Sequence, residues 1–431
     1  MSRTPDPESP RITGYQWLVF VVASAGWVFD VYEGQLFTIF KGPALTELLG
    51  DSLSGPELAA QLEWQGSLAM AIFLVGGAVG GLGFGILADR IGRLPVLSLT
   101  ILTYSLFSAL TALVWEVWQL HALRFVVALG TGGEWAVAAA LVAETFPTRF
   151  RALAGGTFHA SSVLGAGLAA VTGWALSDPQ AWRWGFVLGL VPALLVLAIR
   201  LGMREPSRSP GGSSSAPRGG SLVELLGDPR WRFRAWLGLA LAAVGLGTYW
   251  GIYAWGPELV KEVVRGQVSD TVAQQRSSTV YLLMNFTGGM LGLLAFAPLA
   301  TWKGRRFAFA AYHLGALVLA PLTFLGAQTY GQAALLLPLM AFVVLGMHAG
   351  YAIYFPELFP AHLRATGSSF CFNVGRLVGA IVLVVRGAIG AELGLRWAAV
   401  ALSGLFLVGL VLLAFAPETR DQPLEDEAPE P

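Results

Sequence analysis

The chain has 431 residues, of which 55% are hydrophobic and 13% charged, about half the charged share usual in a soluble domain. Lys and Arg number 27 and so do Asp and Glu, and the resulting net charge of zero excludes a polycationic nucleic-acid binder. A single cysteine, Cys371, excludes an intramolecular disulfide and a cysteine-based metal site.

Residues 1–14 are polar and proline-rich and are expected to form a tail. The apolar stretch that follows is too long for a signal-peptide core and has no small-residue cleavage pattern, so no removed targeting sequence is expected. Seven windows then lack Asp, Glu, Lys and Arg: 64–88, 94–115, 152–177, 235–257, 277–302, 307–356 and 397–417. A bilayer-spanning helix needs about 20 apolar residues, so each window holds one span and 307–356 holds two, joined at AQTYGQ. Interrupted stretches near 15–38, 118–142, 184–203 and 367–388 bring the expected total to twelve.

Between 204 and 234 hydropathy collapses into REPSRSPGGSSSAPRGG and then SLVELLGDPRWRFR. Gly, Ser and Pro cannot build a packed core, so a flexible loop is expected, followed by a short amphipathic piece at the inner surface with Arg230, Arg232 and Arg234 near lipid headgroups. The chain thus divides into a tail (1–14), a six-helix bundle (15–203), a linker (204–234), a second six-helix bundle (235–416) and an acidic, solvated tail (417–431). With the N-terminus inside, inner segments carry eighteen of the 27 Lys and Arg, outer segments seven, and Arg124 and Arg376 fall within helices. The positive-inside rule therefore places both termini in the cytoplasm.

The two bundles read as copies. ETFPTRFRA at 144–152 recurs as ELFPAHLRA at 357–365, an offset of 213, and LADRIGR from Leu87 recurs as LATWKGR from Leu299, an offset of 212. Two such matches at about half the chain length imply six helices repeated in parallel.

GILADRIGR at 85–93 lies on the inner side between the second and third spans. Gly85 and Gly92 permit close backbone approach and a tight turn, and Asp89, Arg90 and Arg93 cluster charge at the membrane edge. With this loop the chain resembles the major facilitator superfamily, whose G-x-x-x-D-R-x-G-R signature it matches at every fixed position. RFVVALGTGGEW, from Arg124 to Trp135, is similar to the helix 4 run of the metabolite and aromatic-acid proton symporters, which also carry two acids three apart in helix 1. NVGR at 373–376 and PETR at 417–420 resemble signatures of the same group and of sugar porters. The resemblance implies an all-α membrane protein of twelve helices in two pseudo-symmetric six-helix bundles. There are departures: helix 1 has DVYE in place of Asp-Gly-aromatic-Asp, and the second copy of the loop has Thr301 and Trp302 in place of the Asp-Arg pair. A charge latch built on that loop is therefore expected to be one-sided.

GWVFDVYEGQLF, residues 26–37, carries Asp30 and Glu33 on one helical face. One acid at mid-membrane costs about 2.5–3.5 kcal/mol, so Asp30, Glu33, Arg124, Glu134 and Arg376 are expected to line a central cavity or pair with one another. Desolvation favours a protonated carboxyl and an approaching guanidinium favours the carboxylate, so motion of Arg124 relative to Asp30 or Glu33 would couple proton binding to alternating access. The alternative is a permanent ion pair joining helices 1 and 4, although such a pair needs one acid and not two. Glu134 is either a further proton site or the partner of a buried group, and Arg376, with no acid at depth in its own bundle, is a candidate for binding a substrate anion.

Tyr249, Trp250 and Tyr253 in TYWGIYAWGPEL suit a flat organic molecule, or else an aromatic belt, the role favoured for Trp255. His348 is a candidate proton relay or substrate contact and otherwise a packing residue. Tyr351, Tyr354 and Asn373 are weaker candidates for the same site. Arg90 and Arg93 with Glu144, Arg149 and Arg151 are expected, by the resemblance, to form a cytoplasmic latch, with topology as the alternative role. Asp89 is expected to meet the positive N-terminal end of helix 11 near Thr366.

No nucleotide motif or nucleophile–base constellation is found, so neither an enzyme nor a cofactor is expected. The expected function is proton-coupled transport of a small organic solute, a carboxylate metabolite or aromatic acid, by a monomer in the lipid of the cell membrane. A facilitator of neutral solutes, an exporter and a non-transporting sensor are the alternatives.

Overall fold

The computed structural model describes residues 12–50, 53–176, 178–205, 220–422 and 424. Most of the tail at 1–14, the Gly/Ser-rich centre of the linker and the end of the acidic tail lie outside the described residues. Among those described, the chain is helical throughout and makes twelve spans.

In the first lobe these are α1 (Gly14–Leu49), α2 (Gly55–Ile91), α3 (Arg93–Thr111), α4 (Val117–Thr145), α5 (Thr148–Ala160 with Ser162–Ala175) and α6 (Trp182–Gly202). A short helix, Leu222–Gly227, precedes the second lobe. There α7 (Pro229–Gly251) continues through a turn at Tyr253–Trp255 into Gly256–Val264, and α8 runs Asp270–Leu283, Met284–Gly289 and Met290–Lys303. α9 (Arg305–Gly326) and α10 (Tyr330–Val344 with His348–Glu357) follow. α11 starts as Arg364–Ser369, passes through Phe370–Val374 and continues from Gly375; a break at Gly394, φ 75°, leads into α12, within Glu392–Phe415.

Ten of the twelve are single stretches long and apolar enough to cross a bilayer. The other two are interrupted, α5 at Ser161 and α11 by a π-helical turn. Local signals set several ends: Thr13 with Gln16 and Thr329 with Gln332 form capping boxes at the starts of α1 and α10. Asp228 caps α7 with Pro229 at its first position, so α7 begins within the linker and Arg230, Arg232 and Arg234 stand on its opening turns. Those arginines therefore extend the span and do not form a separate surface helix; Arg234 reaches back to the Leu358 carbonyl at 2.9 Å.

Burial follows a membrane pattern. The stretch Gly130–Ala143 of α4 is buried on every face, as befits a helix inside a bundle. Trp174 and Leu201 are 81% and 88% exposed, and with Leu113, Val171, Val411 and Phe415 they give an apolar exterior that only lipid would cover. At the face that carries both ends of the described chain the lobes touch, α5 against α8 and α10 and α11 against α2 and α4. Deeper in, they separate around a cavity.

Candidate functional site

The cavity, about 240 Å³, lies between the lobes and takes residues from both, with exposed Thr38 of α1 on the side away from the chain ends. Asp30, Arg124, Tyr249, Trp250, His348 and Arg376 all line it.

The helical period brings Asp30 and Glu33 to one side of α1, where they are 6% and 1% exposed, but they have different partners. Glu33 pairs with Arg124 at 3.2 Å and accepts a hydrogen bond from the Ser108 hydroxyl at 2.6 Å. Arg124 is further held between the rings of Phe37 and Phe73, 4.4 and 4.0 Å from its guanidinium carbon. Asp30 Oδ2 is buried without a hydrogen-bond partner among the described residues. Across the lobe interface, Arg376 forms no ion pair among the described residues, and its charge acts on Asp30 together with those of Glu33 and Arg124. Arg376 lies over the ring of Phe372 at 5.0 Å, and Phe372 stacks on Trp135 of the opposite lobe at 3.9 Å. The cation is thus mounted on an aromatic stack that joins the two lobes.

The second lobe supplies an aromatic wall. Tyr249 meets Trp250 edge-on at 5.1 Å and His348 at 5.6 Å, and stacks on Tyr253 at 4.9 Å. Tyr253 is buried behind this wall, as is Tyr351, whose hydroxyl donates to the Leu241 carbonyl at 3.0 Å. Asn373 is also fully buried, its amide donating to the Ser369 hydroxyl at 3.0 Å. Glu134 lies deep in α4 with neither carboxylate oxygen hydrogen-bonded among the described residues. Trp255 is buried too, 7% exposed: the turn at Tyr253–Trp255 folds it under the helix, which corrects its expected place in a lipid-facing belt.

His159 and Asn285 are among the cavity residues that escaped the sequence reading. His159 of α5 faces the cavity but has no charged neighbour in sequence to single it out; Asn285 lines it from a π-helical turn, Met284–Gly289. The turn at Phe370–Val374 likewise holds Asn373, and such turns commonly mark functional positions.

At the chain-end face, Asp89 accepts the Ala365 N–H at 3.2 Å, the Thr366 N–H at 2.8 Å and the Thr366 hydroxyl at 2.6 Å, all across the lobe boundary. Arg93 pairs with Asp89 at 2.7 Å and Glu144 at 2.8 Å and donates to the Ala361 carbonyl at 2.7 Å. Glu144 also crosses the boundary, to Arg364 at 2.9 Å. Gly85 allows this approach, because a Cβ there would sit 2.9 Å from the Ala365 carbonyl oxygen. Gly92 turns the chain at φ 108°. Arg151 donates within its own lobe to the Ala143 carbonyl at 3.0 Å, and Arg90 to the Gly220 carbonyl at 3.1 Å. Arg149 is exposed over the Phe150 ring with no ion pair among the described residues. Glu205 was also missed: it accepts the backbone N–H groups of Arg93 and Leu94. The offset of 213 reveals it, since Glu418 caps Arg305 and Arg306 in the same way at 2.9 and 3.1 Å.

In the second lobe Arg305 pairs with Glu357 at 2.7 Å, but Thr301 only bonds back to Ala297 within its helix. Asp89→Ala is expected to remove three cross-lobe hydrogen bonds, on the order of 3 kcal/mol or roughly 100-fold in the population of this closed face. Spin labels placed at exposed Arg149 and Trp302 would show a longer, broader distance distribution. An unchanged distribution in that variant would remove Asp89 from the latch.

Two six-helix lobes that close at one face over a charged, aromatic cavity define a membrane transporter. The chain belongs to the Major Facilitator Superfamily, whose pattern matches residues 35–383. It is 31% identical over 419 residues to the probable 4-methylmuconolactone transporter of Cupriavidus pinatubonensis, covering 94% of this chain and 92% of that one. To the cis,cis-muconate transport protein of Acinetobacter baylyi it is 27% identical over 361 residues, 81% and 84% of the two chains. Its fold matches the proton:xylose symporter XylE with a TM-score of 0.76 at 15% identity, over 96% of this chain and 99% of that one. The protein is therefore an integral membrane transporter and not an enzyme.

Proposed function

We propose that this transporter moves a small organic anion, a carboxylate metabolite or aromatic acid, together with protons by alternating access, as a monomer in the cell membrane with both termini in the cytoplasm. The observation that carries the reading is Arg376, a cavity cation without an ion pair among the described residues, set across from Asp30, whose Oδ2 has no hydrogen-bond partner. A substrate carboxylate satisfies the first group and a proton the second. Both are charge-neutralising events in a low-dielectric site, so each makes the other's site easier to close. Glu33 and Arg124 neutralise each other already and set the background charge.

The named relatives support an organic acid, since they are described as carriers of muconate and of a muconolactone. A neutral-solute facilitator would leave Arg376 with no counter-charge in direct contact, Asp30 acting on it only across the cavity. Each proton contributes about 1.4 kcal/mol per pH unit, and each net charge about 2.3 kcal/mol per 100 mV. A monoanion entering with one proton therefore responds to the pH gradient alone.

The test is uptake of labelled benzoate and cis,cis-muconate into proteoliposomes. With an alkaline interior, accumulation against the solute gradient is expected, lost on adding a protonophore. Uptake that ignores the pH gradient overturns the coupling, and the absence of carboxylate flux overturns the substrate class.

A further inference from the structure

His159 and His348 line the cavity from opposite lobes and are 5% and 4% exposed. Their hydrogen bonds fix their tautomers in opposite senses. An indole nitrogen can only donate, so the Trp135 N–H, 3.0 Å from His159 Nδ1, makes that nitrogen an acceptor. The proton of the neutral ring then sits on His159 Nε2. Carbonyl oxygens can only accept, so His348 Nδ1, 3.1 and 3.2 Å from the Val344 and Leu345 carbonyls, must carry its proton. The neutral His348 ring keeps a lone pair on Nε2, which is buried and has no partner among the described residues.

The surroundings hold both rings in place. His159 packs against Trp27 at 5.5 Å and Trp135 at 6.0 Å; His348 packs against Tyr249 at 5.6 Å and Tyr351 at 5.4 Å. His159 lies within electrostatic range of Arg376 and of the His348 ring. The cavity is therefore lined by a cation, by a ring whose Nε2 carries the proton and by a ring whose Nε2 keeps its lone pair.

Resting on the organic-anion reading above, we propose that the two histidines determine specificity: His159 Nε2–H joins Arg376 in holding the substrate carboxylate, and His348 Nε2 accepts a hydrogen bond from a hydroxyl or N–H elsewhere on the substrate. The preferred solute is then a hydroxylated or N–H-bearing acid, not a bare hydrocarbon acid. A site built to accept a hydrogen bond discriminates against analogues lacking the donor, because its own buried group is left unpaired.

Matched acids test this on the purified full-length protein: benzoate, 3- and 4-hydroxybenzoate and their methyl ethers, with propionate, lactate and 2-methoxypropionate, read as Kd by calorimetry. In at least one series the hydroxy acid is expected to bind at least tenfold more tightly than both the parent acid and the methyl ether. In His348→Leu that ratio should fall towards one; His348→Gln, which keeps an acceptor oxygen, should restore much of it. Parent, hydroxy and methoxy acids binding alike to the unaltered protein would overturn the histidine assignment while leaving the organic-anion reading intact. A hydroxyl preference that survives in His348→Leu would overturn it equally. If no acid of either series binds, both readings fall together.

Discussion

Asp30→Asn is expected to abolish accumulation of substrate against its gradient while exchange of labelled for unlabelled substrate across the membrane continues. Asn keeps the size and a hydrogen-bonding oxygen but cannot take or release a proton, so the variant separates coupling from passage. Asp30 stands apart from its neighbour Glu33 on geometric grounds. Both Glu33 oxygens are engaged, by Arg124 at 3.2 Å and Ser108 at 2.6 Å, whereas Asp30 Oδ2 has no partner among the described residues. Loading a proton on Asp30 breaks no ion pair in this conformation; loading one on Glu33 would leave Arg124 buried between two aromatic rings without its counter-ion. Removing one partner of such a pair costs about 3–5 kcal/mol, so Glu33→Ala should show first as lost thermal stability and yield. Uphill uptake by Asp30→Asn equal to that of the unaltered protein would refute the coupling role.

The second large effect is expected at Arg376. Arg376→Gln should weaken carboxylate binding roughly 30-fold or more, since a desolvated charge pair is worth about 2–5 kcal/mol when one partner is removed. Arg376→Lys should fall between, because an ammonium keeps the charge but loses the planar fork that grips two carboxylate oxygens. The guanidinium rests on Phe372, which stacks on Trp135 of the other lobe, so substrate capture at Arg376 bears directly on a contact between lobes. The measurement is calorimetric Kd for whichever acid binds the unaltered protein. Equal affinity in Arg376→Gln would place the substrate anion elsewhere.

Much of this was legible in one dimension because hydrocarbon imposes severe constraints. Backbone groups cannot be left unsatisfied in lipid, so charge-free stretches of about 20 residues are helices that span it. That rule yields eight spans without any tertiary information, four interrupted apolar stretches bring the number to twelve, and the 212 and 213 offsets yield two related lobes. The cost of a charge at depth singles out Asp30, Glu33, Arg124, Glu134 and Arg376, and the helical period puts Asp30 and Glu33 on one face.

Which of these groups meet was decided only by packing. Glu33, not Asp30, holds Arg124 across 91 positions of sequence; Arg376 comes from the other lobe to face Asp30; His159, featureless in sequence, becomes a cavity wall. Arg149 and Arg151 occupy one helical turn beside the same motif, yet Arg149 points to solvent while Arg151 holds a backbone carbonyl. The period of a helix fixes which of its own residues share a face, but a partner on another helix depends on crossing angle, depth and lobe docking. Those are properties of the assembled bundle and leave no local trace in the chain.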